Sequence, residues 1–171
     1  MTHIGILSDT HGYLDKRVFE HFADCDEIWH AGDIGSMEVL MKLREFKPTR
    51  AVFGNIDSGD IRYTLSEFYR FKVEEVNVLM THIGGYPGHY NPWLIPMFQR
   101  ESPQLFVCGH SHILKVQYDP VWAMLTVNPG AAGKQGWQKV QTLLKMVING
   151  DKMENLEVVE LSPNDVALNA L

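Results

Sequence analysis

Asp9 and His11 are the first residues in the chain whose types and spacing could bind a metal ion. They lie two positions apart, directly after the short apolar segment 4–7. In an extended chain, side chains at i and i+2 leave on the same side, so this carboxylate and imidazole can point at one place. Both groups are common metal ligands. A helix N-cap followed by a solvated histidine would have the same sequence, so this segment alone leaves both interpretations open.

Four more apolar segments end in the same way, with a small residue followed by a ligand-type side chain. The candidate residues there are Asp33, Asn55, His82, His110 and His112. Each segment has the composition of a buried strand, and binding sites in α/β sheets form where the strands end. Because five separate segments share this design, we expect their polar side chains to converge on one site.

The seven candidate ligands together match the needs of two divalent ions that share one bridging carboxylate. Carboxylate, amide and imidazole donors in this mixture suit Mn²⁺, Fe²⁺, Zn²⁺, Co²⁺ or Ni²⁺, and we take Mn²⁺ as the first expectation. A Mg²⁺ or Ca²⁺ site would not use four histidines. Two ions about 3.5–4 Å apart can share a water, lower its pKa, and hold the attacking and leaving oxygens of a phosphoryl group. This chemistry predicts metal-assisted hydrolysis of a phosphate ester.

The bulk composition is that of an ordinary globular protein, with 171 residues, 45% hydrophobic and 21% charged. A net charge of −6 argues against binding of long nucleic acid but not against a small phosphorylated substrate. Cys25 and Cys108 adjoin or lie in apolar segments, so we expect free thiols. The sequence has no signal peptide pattern and no segment approaching the ~20 apolar residues of a membrane span. We therefore expect a cytoplasmic protein without membrane contact, and a homo-oligomer is compatible with the sequence.

The predicted elements place the candidate ligands at strand ends. Apolar periodicity up to residue 53 predicts a β-α-β-α-β order, including a helix with Ser36 as its N-cap. The later part is rich in strands and contains two glycine-rich loops, 84–92 and 128–136. The predicted strands are 4–7, 27–30, 50–53, 68–73, 77–81, 104–108, 114–118, 124–127, 142–148 and 156–161, and the predicted helices are 14–22, 36–47 and 93–101. We expect one domain, residues 1–171, with 162–171 as a loose tail or a short helix.

The order of the motifs resembles the calcineurin-like metallophosphoesterase superfamily over residues 4–137. The matching motifs are Asp9-x-His11, Gly32-Asp33, Gly54-Asn55, His82 and Gly109-His110-Ser111-His112. The small size, segment 54–57 and the Asn128-Pro129-Gly130 loop are similar to the small YfcE-type phosphodiesterase branch. The resemblance implies an α/β fold, namely a four-layer α/β/β/α sandwich of two mixed sheets flanked by helices.

The resemblance also implies how the ligands divide between two divalent metal ions. One ion would be held by Asp9, His11, Asp33 and His112, with Asp33 bridging, and the other would be completed by Asn55, His82 and His110. A hydroxide bridging the ions would then attack a small phosphodiester substrate.

One position departs from the superfamily pattern. Many members have a histidine directly after the motif asparagine, where it protonates the leaving oxygen, whereas this chain has Ile56. The change predicts slow chemistry on poor leaving groups and a preference for activated diesters. His89, or Tyr86 and Tyr90, could supply a proton or shape the pocket. Asp57 could contact substrate, although a residue at this place after a Gly-Asn turn is more often a turn former.

Two further alternatives stay open from the sequence. His30 could support a metal ligand or could simply be a buried histidine with satisfied hydrogen bonds. The same compact fold also serves as a protein-binding scaffold in the retromer complex, so a scaffold with weak or no catalysis is the second functional expectation. The presence of all seven ligand positions favours the enzyme, because a scaffold does not need them.

Overall fold

A computed structural model describes residues 1–162, and the structural statements below refer to that part of the chain. The strands are β1 Thr2–Leu7, β2 Glu27–His30, β3 Thr49–Ala51, β4 Phe68–Val73, β5 Val76–Thr81, β6 Leu105–Val107, β7 Leu114–Asp119, β8 Met124–Pro129, β9 Gln141–Asn149 and β10 Lys152–Leu161. The helices are α1 Arg17–His21, α2 Met37–Phe46, α3 Asp60–Thr64 and α4 Ile95–Arg100, with a 3₁₀ turn at Pro92–Leu94 directly before α4.

The strands form two mixed sheets of five strands each. The first sheet has the order β10-β9-β1-β2-β3, in which β1, β2 and β3 are parallel and β9 and β10 add in antiparallel fashion. The second has the order β4-β5-β6-β8-β7, with β5, β6 and β8 parallel and an antiparallel strand at each edge. Parallel strands end at the same edge of a sheet, so the loops that follow them lie side by side.

Alternation along the strands sends side chains to two different cores. Trp29 and Met80 pack between the two sheets. Ile28 faces the other way and packs with residues of α1 and α2, while Leu79 packs with Phe98 of α4. A strand buried on both faces must be apolar on both faces, as these segments are. The structure therefore confirms the four-layer α/β/β/α sandwich.

Local signals in the sequence account for several element boundaries. The Ser36 hydroxyl accepts a hydrogen bond from the Val39 amide at the start of α2, as the N-cap prediction requires. The β4–β5 hairpin turns at Glu74 and Glu75, and the β9–β10 hairpin turns at 150–151. These two hairpins were predicted from turn residues between β-branched or apolar segments.

Other boundaries differ from the prediction. Helix α1 begins at Arg17 and not at residue 14, because the Asp15 carboxylate accepts a hydrogen bond from the Arg17 amide in the preceding turn. Helix α3 was not predicted, since five residues are too few to show a 3.6-residue period. The expectation for the tail lies, apart from Ser162, outside the described residues. In residues 1–162, no helix has the length and apolar character to cross a membrane.

Candidate metal centre

The seven candidate ligands lie in loops that follow five different strands. Asp9 and His11 follow β1, Asp33 follows β2, Asn55 follows β3, His82 follows β5, and His110 and His112 follow β6. Five of the seven have φ angles between 48° and 69°, in the left-handed region: Asp9, His11, Asp33, His110 and His112. Such angles are uncommon outside glycine and cluster at functional sites, where the surrounding structure holds the side chains in a required direction.

These loops bring together two sets of metal-ligand atoms. The first ligand group is Asp9, His11 and His112, and the second ligand group is Asp33, His82 and His110; within each, the ligand atoms lie within 4.8 Å of one another. In the first group, His112 Nε2 lies 3.1 Å from Asp9 Oδ1. In the second, His82 Nε2 lies 3.1 Å from Asp33 Oδ2. Each group offers one carboxylate and two imidazoles, which fits a divalent transition metal ion.

The two groups are immediate neighbours, and Asp33 lies between them. Its Oδ2 atom is 3.6 Å from His11 Nε2 in the first group, besides its contact with His82. This is the place that a bridging carboxylate would occupy. Asn55 lies beside the second group, with its Oδ1 atom 3.0 Å from His110 Nδ1. The division of ligands between two ions stays a prediction, and these distances are compatible with it.

Each buried carboxylate uses one oxygen within the protein and leaves the other for the centre. Asp9 Oδ2 accepts hydrogen bonds from the Ser8 hydroxyl and the His110 amide. Asp33 Oδ1 accepts one from the Ile56 amide. The remaining oxygens, Asp9 Oδ1 and Asp33 Oδ2, face the histidines.

Unpaired buried atoms give the strongest indication of a missing partner. In the described chain, four buried side-chain polar atoms have no hydrogen-bond partner, and three of them are Asp9 Oδ1, His11 Nε2 and His82 Nε2. Leaving a buried polar atom unpaired costs free energy, so three together at one point need an explanation. All three are atoms that coordinate metals, and metal ions would satisfy them. The residues therefore fit the divalent ions that the resemblance implies.

Hydrogen bonds to the far nitrogens fix the direction of two histidines. His82 Nδ1 donates to the Ala31 carbonyl at 2.7 Å, which turns Nε2 toward Asp33. His112 Nδ1 donates to Gln138 Oε1 at 3.0 Å, which turns its Nε2 toward Asp9. Such partners orient metal-binding histidines and set which nitrogen is free.

Gln138 is a residue that sequence reasoning missed. Its amide nitrogen donates to the carbonyls of Gly133 and Gln135, so its oxygen is left to accept from His112. The glycine-rich loop after β8 was the available signal, but a glutamine near a glycine-rich loop does not by itself indicate a partner for a histidine.

His30 is both fully satisfied and a support for two ligand loops. Its Nδ1 accepts from the Gly32 amide, so its Nε2 donates to the Thr10 hydroxyl, which in turn donates to the Ile34 carbonyl. Burial, with a smaller effect from the nearby His82, lowers the pKa of His30 to about 3, so the ring is neutral. The two interpretations left open from the sequence are therefore both correct.

Charges at the second ligand group stabilise one another. Burial disfavours ionisation of Asp33, but hydrogen bonds from His82 and the Ile56 amide outweigh it and hold the pKa of Asp33 below its ordinary value. Burial also opposes protonation of His82, while Asp33 and Asp9 outweigh that effect and raise the pKa of His82. A metal ion would take the place of the His82 proton between these carboxylates.

Two glycines allow the loops to approach this closely. A Cβ atom on Gly54 would lie 2.0 Å from Asp33 Oδ1, and one on Gly109 would lie 2.1 Å from the Ser8 hydroxyl oxygen. Real Cβ atoms do not come so near to other heavy atoms. The motif glycines before Asn55 and His110 therefore make room for the carboxylates of the centre.

Asp57 and Ile56 follow Asn55 and have different roles. The Asp57 carboxylate is buried and accepts hydrogen bonds from the amides of Ile34, Gly35 and Gly54. It therefore ties the Asp33 loop to the Asn55 loop, and its predicted contact with substrate stays a prediction. Ile56 is 45% exposed and offers the centre only its backbone amide.

The proton donors suggested for the glycine-rich loop are placed differently from one another. Tyr90 is buried and donates its hydroxyl proton to Asp119, and burial raises the pKa of this phenol. Its proton is thus committed to a buried partner away from the ligands. His89 is exposed and its ring lies 4.8 Å from that of Tyr86, in a cavity that His110 also lines. A role of His89 toward substrate stays a prediction.

Proteins of known family share this sequence pattern and this fold. A probable metallophosphoesterase from Methanothermobacter thermautotrophicus is 29% identical over 134 residues, which cover 75% of this chain and 76% of that protein. A structure described as a novel archaeal phosphodiesterase has a TM-score of 0.73 at 22% identity, covering 93% of this chain and 99% of that one. Vps29 from Chaetomium thermophilum has a TM-score of 0.75 at 15% identity, covering 94% and 97%. At these identities, the structural likeness shows the fold.

The family itself is shown by the match to a family model. Residues 2–151 match the model described as the calcineurin-like phosphoesterase superfamily domain, and this range contains all seven candidate ligands. With a sandwich of two mixed sheets and two adjoining ligand groups at the strand ends, the protein belongs to the calcineurin-like phosphoesterase superfamily.

Proposed function

We propose that this protein is a metal-dependent phosphodiesterase that hydrolyses small phosphodiesters with two divalent ions, Mn²⁺ being the first choice. The observation that carries the proposal is the convergence of two ligand groups around three unpaired buried atoms. Membership in a phosphoesterase superfamily supports the hydrolysis, and the likeness to an archaeal phosphodiesterase supports the diester.

The protein side chains would hold and orient the ions. Asp9, His11 and His112 would hold one and Asn55, His82 and His110 the other, with Asp33 shared. Bound there, divalent ions would lower the pKa of a coordinated water and neutralise charge on the phosphate. The protein groups keep one carboxylate oxygen of Asp9 and of Asp33 aimed at the centre, and they keep the imidazole Nε2 atoms free to coordinate.

The leaving group would depart without help from the residue after Asn55. Ile56 cannot donate a proton from its side chain, and its amide hydrogen is already used by Asp33. A general acid speeds departure most when the leaving group is a poor one. The protein is therefore expected to prefer diesters with acidic leaving groups.

Hydrolysis of bis-p-nitrophenyl phosphate with added Mn²⁺ tests the proposal. We expect turnover that a chelator abolishes and that Asp33→Asn reduces severely, because Asp33 lies between both ligand groups. Asp60→Asn is the matched control, since this aspartate is exposed at the start of α3. Absence of Mn²⁺-dependent turnover in the unchanged protein would contradict the proposal.

A protein-binding scaffold is the second candidate, and the likeness to Vps29 is the observation that favours it. Such a scaffold could bind metal at the same residues without turning over a diester. Metal binding alone therefore does not separate the two candidates, whereas the chelator-sensitive hydrolysis above does.

A further inference from the structure

Two cavities open beside the second ligand group. The first cleft, of about 570 Å³, has Asn55 and His82 in its wall, and the second cleft, of about 590 Å³, has His110 and Ser111. Each cleft therefore begins at residues of the candidate metal centre and extends away from it.

A single ridge separates the two clefts. Ile83 and Asn91 line both of them, and Ile83 directly follows the ligand His82. The Asn91 amide nitrogen of the side chain donates to the Ile83 carbonyl, and the Asn91 backbone amide donates to the Gly84 carbonyl. These hydrogen bonds hold the ends of the glycine-rich loop together, so the ridge is part of the folded loop.

Each cleft presents aromatic rings to the solvent. Trp93 is 78% exposed and Phe68 37% in the first cleft, and Tyr86 is 43% exposed in the second. Rings of this kind that face water beside a polar centre are suited to stacking with flat organic groups. Cations accompany them, since Arg62 packs over the Phe53 ring in the first cleft and Lys115 over the Tyr86 ring in the second. Both clefts thus combine an apolar face with positive charge, which suits a planar group next to a phosphate.

We propose that the preferred substrate is a phosphodiester with a planar substituent on each side, one in each cleft. The inference rests on the proposed function, which places the phosphate at the ligand groups between the clefts. A phosphomonoester has one organic substituent and can fill one cleft only. A diester with two planar groups fills both, so the shape of the site selects for it.

Binding of two diesters of equal charge tests this assignment without depending on turnover. Diphenyl phosphate has two planar groups and methyl phenyl phosphate has one, and phenol is a poor leaving group, so both can be titrated by calorimetry with Mn²⁺ present. We expect Trp93→Ala and Tyr86→Ala each to weaken diphenyl phosphate about tenfold, the loss typical of one stacked ring. With methyl phenyl phosphate, each single substitution should cost much less, because the ring can occupy the remaining cleft.

Matched controls and the possible outcomes keep the two proposals apart. Trp137→Ala and Tyr118→Ala remove exposed rings that line neither cleft, and they should leave both affinities unchanged. Equal diphenyl phosphate affinity in all variants would overturn the two-cleft assignment and leave the hydrolase proposal standing. Cleft-dependent binding without any Mn²⁺-dependent hydrolysis of bis-p-nitrophenyl phosphate would support the assignment and overturn the hydrolase proposal.

Discussion

The two ligand groups are held in place by different means. In the first group, His112 is oriented by the side chain of Gln138, which comes from a separate loop after β8. In the second group, His82 is oriented by a backbone carbonyl, and His110 contacts Asn55, itself a candidate ligand. The first group therefore depends on one replaceable side chain outside the ligand set, whereas the second depends on the backbone and on its own members.

The groups also differ in what they face. The second group contributes His82 to one cleft and His110 to the other, while no residue of the first group lines either of these two clefts. This difference assigns ion retention mainly to the first group and substrate contact mainly to the second. The following predictions test that contrast, beginning with the largest effect.

Replacing Asp33 should affect both groups at once. We expect Asp33→Ala to lower turnover by at least about a thousandfold, because it removes the charge that lies between the groups. Bound Mn²⁺ per chain, measured by atomic emission after gel filtration, should fall for both sites. His112→Ala is the comparison, since its contacts lie in the first group. Loss of a single ion in Asp33→Ala would show that this carboxylate is not shared.

Replacing Gln138 should affect the first group alone. We expect Gln138→Ala to weaken the affinity for one of the two ions by about 10–100-fold, because His112 loses the partner that orients it. Mn²⁺ titration followed by calorimetry would resolve the two sites. Gln135→Ala in the same loop is the matched control, as its side chain is exposed. Equal weakening of both ions would remove the distinction between the groups.

Replacing Asp57 should loosen the loops of the second group. We expect Asp57→Ala to lower the free energy of unfolding in urea by about 3 kcal/mol, since three backbone amides lose a charged acceptor. The exposed Asp60→Ala should change the stability by no more than about 0.5 kcal/mol. Unchanged stability combined with a raised KM would instead favour the substrate contact predicted from the sequence.

Replacing His89 should have the smallest effect, and it depends on the leaving group. His89 lines the second cleft with His110, so it could deliver a proton to a departing alkoxide. We expect His89→Gln to leave hydrolysis of p-nitrophenyl diesters nearly unchanged and to slow diesters with alkyl leaving groups more. A pH–rate profile that is the same in the variant for both kinds of diester would exclude this role.

The sequence predicted the layered fold and brought together the right side chains, because both depend on short local patterns. An apolar segment followed by Gly-Asp or Gly-His indicates a strand end with a polar residue, and strand ends share an edge. Boundaries were less accurate where a side chain decided them, as Asp15 does before α1. A helix as short as α3 gives no periodic signal at all.

The supporting contacts could not be predicted, because they join residues far apart in the chain. The partner of His112 lies 26 positions away, and the Ala31 carbonyl that orients His82 lies 51 positions away. Asp57 shows the same limit, since a turn residue that also binds the amides of a distant loop looks like any other turn residue in the sequence. The clefts arise only when the glycine-rich loop folds back beside the β5 end.

The lack of a side chain at Gly54 and Gly109 has a consequence for how this centre tolerates mutation. At either position, even a methyl group would collide with a carboxylate or with the hydroxyl that holds one. In a saturation library selected for activity, these two sites should return glycine alone, whereas exposed Ile56, two residues after Gly54, should accept many replacements. Redesign of the leaving-group chemistry therefore has open room at Ile56 and almost none at the glycines on which the carboxylates pack.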